Sequence, residues 1–224
     1  MEFKLNPLVA TSACLVGEKV RYDGGHRQSL ALTEQLAQRC DLLPYCPEVE
    51  MGMPVPRETI RITLADDGTP SLMGNHSETD FTPALQQLLS TKLDAFAAAD
   101  VAGFVVKARS PSCGLGSYPL EPAIDGLFTA AIRKRFPHLP IADENALVSS
   151  EQLQDFQSEV FLAHFRAQAL LDTLPDGPRA RLKQALPDCA VSRQALLDLL
   201  HSLPLSPENR PLLDSLLHRL EPQS

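Results

Sequence analysis

The chain has 224 residues, 44% hydrophobic and 21% charged, the balance of a soluble globular protein long enough to bury a real core. Its 28 acidic residues outweigh 20 basic ones to give a net charge of −8, which excludes a generic polyanion binder. No apolar run approaches the ~20 residues needed to cross a bilayer, and the start, Met1 to Pro7, lacks the cationic and long apolar regions of a signal peptide, so the expected location is the cytoplasm.

In chain order, Leu8 to Leu15 is apolar and small, as a buried strand requires, and Gly17 to Gly25 is rich in turn residues. Leucines at 30, 32 and 36 predict a helix over 28–39. Asp41 to Cys46 reads as a second strand. The stretch Cys46 to Arg57 is punctuated by Pro47, Pro54 and Pro56, which predicts a stiff loop without regular helix. Ile60 to Leu64 alternates like a strand, and Asp66-Asp-Gly68 suits the turn of a small hairpin. Thr82 to Ala99 carries leucines at helical spacing, and Val101 to Val106 is a third strand, as a βαβ crossover demands. A glycine- and proline-rich loop from Gly114 to Pro122 leads to a helix over 126–136 and a short strand at Pro140 to Ala142. These elements predict a Rossmann-like α/β fold: an open, mostly parallel sheet flanked by helices, over residues 1–148.

From Ser149 the character changes. Ser150 opens a helix whose apolar face holds Phe156, Val160, Leu162 and Phe165. Leucine-rich pieces divided by Pro175, Pro187, Pro204 and Pro211 follow. Residues 149–224 are expected to form a small all-helical appendage for packing or interaction.

Five scattered cysteines argue against a disulfide framework and for reduced thiols. Cys40 and Cys189 read as buried small hydrophobes. Cys14, Cys46 and Cys113 differ, because each lies at or just past the end of a predicted strand. In an open α/β sheet, ligands bind outside the carboxyl ends of the strands, so these three can share one pocket. Three thiolates with one coordination position left open form a reactive metal site. Small neighbours at Ser12-Ala-Cys14 and Ser110-Pro-Ser-Cys-Gly114 leave room for a bulky inorganic group. On spacing alone, zinc and an iron–sulfur cluster are equally credible.

Three ordered blocks narrow this: Ser12 to Gly17 with Val20 to Gly25; Cys46-Pro-Glu-Val-Glu-Met-Gly-Met-Pro-Val-Pro-Arg57; and Lys107-Ala-Arg-Ser-Pro-Ser-Cys-Gly114. They resemble the signature blocks of the thiouracil desulfidase family, across roughly residues 8–148. Asp125 to Ala131 through Pro137 to Pro140 further resembles members linked to tRNA thiouridine desulfuration, which carry a second helical domain longer than this tail.

The resemblance implies a four-iron, four-sulfur cluster held by Cys14, Cys46 and Cys113, with the fourth iron free of protein ligands. It implies non-redox removal of sulfur from a thiolated uracil, giving uracil and sulfide. A soft thiocarbonyl sulfur suits iron, whose Lewis acidity makes the carbon electrophilic. Water attacking that carbon needs a general base, for which Glu48 is the first candidate and Glu50 the second. Ser110 and Ser112 are candidate donors to the pyrimidine or its developing charge, though serines beside proline also cap turns. Lys107, Arg109, Arg21, Arg57 and Arg61 could offset cluster charge or hold a substrate phosphate, and Asp23 is a weaker substrate contact. The expected partner is a small thiolated pyrimidine; acidity disfavours tRNA, while residues 125–140 favour it.

Two rivals use the same thiols. One is a zinc hydrolase or deaminase with a three-cysteine site. The other is a non-enzymatic iron–sulfur redox sensor whose tail reports cluster loss. Phosphate-loop, dinucleotide and zincin motifs are absent, and the six histidines are scattered.

Overall fold

The computed structural model describes residues 6–167. Four parallel strands form the main sheet in the order β2-β1-β5-β6: β1 (Leu8–Ser12), β2 (Asp41–Tyr45), β5 (Val101–Val106) and β6 (Ile141–Asp143). Between β2 and β5 the chain makes an antiparallel hairpin, β3 (Ile60–Leu64) and β4 (Pro70–Gly74), turning at Asp66 to Gly68. Helices α1 (Pro47–Glu50), α2 (Thr82–Ala98), α3 (Leu127–Arg135) and α4 (Ser150–Ala167) complete the described fold. The open parallel sheet with flanking helices is the predicted Rossmann-like class.

β5 is buried at every position, as a central parallel strand should be. Side chains alternate across a sheet, so Phe104 and Gly103 face opposite sides. On the Phe104 side, Phe96 of α2 meets Phe104 edge-on at 5.4 Å, and Phe128 of α3 joins the same aromatic cluster. On the Gly103 side lies α4: a Cβ at Gly103 would come within 2.7 Å of Val160 Cγ2. Only a glycine lets α4 seat this closely. The segment predicted as an appendage therefore begins with a helix packed on the sheet. Ser149 caps it, its Oγ accepting from the Gln152 N–H at 3.2 Å while Gln152 Oε1 accepts from the Ser149 N–H. Phe156 and Val160 are buried. The side chains of Leu162 and Phe165, together with Cys189 and the proline-divided remainder of the tail, lie outside the described residues.

Two local expectations need correction. The segment over 28–39 is not a regular α-helix: Ala31–Gln35 forms a wide π-type turn and Leu36–Gln38 a tight 3₁₀ turn. Leu32 and Leu36 are nonetheless fully buried, so the leucine spacing marks packing rather than helix type. The loop after Cys46 does contain helix, the single turn α1. Pro47 sits at its first position, where the missing N–H costs nothing and the fixed φ is preorganised.

Candidate functional site

The strands β2, β1 and β5 lie side by side and run the same way, so their carboxyl ends share one rim. Cys14 lies in a 3₁₀ turn, Ala13–Val16, directly after β1. Cys46 follows β2 and caps α1. Cys113 lies in the loop after β5. All three line one cavity of about 470 Å³, together with Ser12, Tyr45 and Glu48. None is in a disulfide. Cys14 and Cys113 are buried and Cys46 is half-buried. Burial pushes the Cys14 thiol up to about 11, helped by Cys46 and opposed by Arg21 and Lys107. Burial likewise raises Cys46, and raises Cys113 well above the usual thiol range, with Glu48, Cys46 and Cys14 adding to the effect on Cys113. Among the described residues, no three His, Cys, Asp or Glu side chains converge closely enough to hold a single metal ion.

The Cys113 loop is fixed through its backbone. The N–H groups of Leu127 and Phe128, at the start of α3, donate to Pro111 O (2.9 Å) and Ser112 O (3.0 Å), satisfying helix donors that lack intrahelical partners. Thr129 Oγ1 donates to Cys113 O at 2.7 Å. Gly126 N–H donates to Gly114 O at 2.7 Å, and a Cβ at Gly126 would fall 2.5 Å from Ser112 backbone atoms. No side chain fits there.

The Cys46 segment is braced by side chains instead. Glu50 Oε1 accepts from the Cys46 N–H at 3.2 Å, and Glu50 Oε2 lies 2.7 Å from Lys92 Nζ on α2. Glu48 Oε2 is held by the Arg57 guanidinium through Nη2 and through Nε at 2.9 Å. Glu48 Oε1 accepts from Ser112 Oγ at 3.1 Å, joining the second and third motif blocks. The Arg57 N–H donates to Tyr22 O at 2.9 Å, joining the first block to the second.

Of the two candidate bases, Glu48 lines the cavity, whereas Glu50 is tied to Lys92. Ser110 also lines the cavity, and its Oγ accepts from the N–H groups of Ser112 (3.2 Å) and Cys113 (3.1 Å). Ser112 is fully buried and contacts Glu48 rather than the cavity. Lys107 lines the cavity with its ammonium paired to Glu144. Arg21, Arg57 and Arg109 line it too. Arg61 is paired with Glu78, and Asp23 accepts from the Gly25 N–H at 2.9 Å, a turn contact; neither lines the cavity. Arg133 is paired with Asp125 at an exposed helix end.

Sequence reasoning missed Glu144, Tyr45 and the buried Glu48–Arg57 pair. Glu144 follows β6 on the same rim, so its signal was position after a strand, the signal that marked the cysteines. In sequence Arg57 reads as a charge for the cluster or a substrate phosphate, whereas its partner is Glu48, nine residues away across a turn.

The model of the 2-thiouracil desulfurase family matches residues 9–144. A solved structure of a 4Fe-4S-dependent thiouracil desulfidase, TudS, aligns with a TM-score of 0.52 and 29% identity, over 63% of this chain and 93% of that one. No curated protein matches the chain. No helix among the described residues is long and apolar enough to cross a membrane. With its matched span holding all three cysteines, the chain belongs to the 2-thiouracil desulfurase family.

Proposed function

We propose that this protein is a desulfidase that hydrolyses thiolated uracil or thiouridine without net redox change, using a four-iron, four-sulfur cluster held by Cys14, Cys46 and Cys113. The observation that carries the reading is the meeting of three free thiols from three adjacent parallel strands in one cavity with Glu48. The donor set fits such a group: it is all sulfur, and it lacks the tight spacing of a single-ion site while sharing a space several ångströms across. That favours a cluster over a lone zinc. TudS, the structural neighbour, is named for the same cofactor and substrate class.

When bound, the cluster supplies a Lewis-acidic iron soft enough to take a thiocarbonyl sulfur. The rest falls to the chain. In the net reaction C=S and water become C=O and hydrogen sulfide, so the attacking water must lose protons. Glu48 is the base we assign. Arg57 fixes its Oε2, and Oε1 accepts one hydrogen bond from Ser112, leaving that oxygen a second lone pair for water. Arg57, 3% exposed, keeps the carboxylate oriented in a partly buried site. Ser112 acts through Glu48 and is a positioning residue. Ser110 holds the turn that presents Cys113, and its hydroxyl hydrogen is free to reach a pyrimidine in the cavity. Lys107 and Arg21 place positive charge beside Cys14, favouring its thiolate.

The test is anaerobic reconstitution followed by sulfide release from 2-thiouracil, 4-thiouracil, 4-thiouridine and thiolated tRNA. The expected result is about four irons per chain and turnover of the small thiolated pyrimidines. The acidic chain makes tRNA the weaker expectation. Iron-loaded protein that releases no sulfide from any of them leaves the sensor reading, and one zinc without iron leaves the hydrolase rival.

A further inference from the structure

Tyr45 ends β2 one residue before Cys46, with 2% of its surface exposed. Its ring packs against Phe96 and Phe128 with centroids 5.4 Å away in each case, so it cannot swing. Tyr45 lines the cavity with Ser12, Cys14, Cys46 and Cys113. There the hydroxyl is buried and has no hydrogen-bond partner. Ser12 Oγ, which accepts the Lys107 N–H at 3.0 Å, lies near it without forming a hydrogen bond of normal geometry. A buried phenol normally finds an acceptor. An orphaned donor, locked in place beside thiols, points to an acceptor that arrives with the site's occupant.

We propose that the Tyr45 hydroxyl donates a hydrogen bond to a sulfur of the bound cluster, either a cysteine thiolate or an inorganic sulfide, as a positioning residue that tightens cluster binding and raises its reduction potential. The inference rests on the cluster reading above. Hydrogen bonds to cluster sulfurs offset the charge added on reduction and are one of the determinants of potential. Partners outside the ligand set also commonly govern metal retention. The tyrosine does not touch the reaction; it acts through the cofactor.

The experiment compares wild type with Tyr45→Phe, each with and without reconstituted cluster. Four results are expected. The midpoint potential moves to a more negative value in the variant. Iron–sulfur stretching bands that shift in D₂O for wild type lose that sensitivity. Iron leaves to a chelator roughly 10-fold faster. Without cluster, the variant melts no lower than wild type, because the change removes an unsatisfied donor. Placing 3-fluorotyrosine at position 45, a stronger donor of nearly the same shape, should move the potential the other way, and it serves if the phenylalanine variant fails to fold. Unchanged potential and unchanged bands overturn the proposal. So does a lower melting temperature in the cluster-free variant, which would mean that the hydroxyl serves the fold or a trapped water. Wild type that binds no iron overturns the parent reading as well, whereas equal clusters in both proteins overturn this inference alone.

Discussion

The Cys113 loop and the Cys46 turn reach the same cavity by opposite means. Cys113 is delivered by a loop stitched to α3 through main-chain hydrogen bonds, with Gly126 pressed against Ser112 so closely that no Cβ fits. Cys46 is delivered by one helical turn held by two carboxylates, Glu48 to Arg57 and Glu50 to Lys92. Backbone bonds within a buried loop are indifferent to salt. Ion pairs are not, and the exposed ones are individually weak. One side of the site is therefore a fixed wall. The other carries the adjustable chemistry, and the candidate base sits there.

Removing a sulfur should erase the difference. Cys113→Ala and Cys46→Ala are each expected to abolish iron retention and sulfide release, measured by iron content and sulfide assay; full activity in either variant would remove that cysteine from the ligand set. Glu48→Gln separates base from scaffold. Sulfide release per bound iron should fall about 100-fold, the usual scale for a lost general base, with some loss of stability because the buried Arg57 charge is stranded. An unchanged rate per iron would move the base elsewhere. Gly126→Ala tests the fixed wall. Forcing a Cβ against Ser112 should cost about 1–3 kcal/mol, seen as a lower midpoint in urea that added salt does not restore. The smallest effect belongs to Lys92→Ala, which should cost under ~1 kcal/mol. In high salt that difference should vanish; a large, salt-independent loss would mean that Lys92 supports the turn by packing over the Phe96 ring, 5.3 Å away.

Much of the fold could be read from local pattern. β5 was visible as an unbroken apolar run between a helix and a glycine-rich loop, and α2 from its leucine spacing. The three thiols were legible because each ends a strand, and a parallel sheet brings such ends together. Where reading failed, distant partners decided. The leucines over 28–39 have helical spacing, yet their burial is achieved by a π-type and a 3₁₀ turn. Pro47 reads in sequence as a helix breaker, although at the first position of a turn it is a helix starter. The Glu48–Arg57–Ser112 network joins residues 64 positions apart, so no window along the sequence contains it. The orphaned Tyr45 hydroxyl is equally invisible there, because a missing partner has no sequence signature.

The family match stops at residue 144, yet the sheet does not end its need for cover there. With Val160 pressed over Gly103, anyone trimming a gene to the matched span would excise the lid from one face of β5 and leave a greasy ribbon in water. A crystallisable or engineered minimal version should keep the chain through residue 167, where α4 ends.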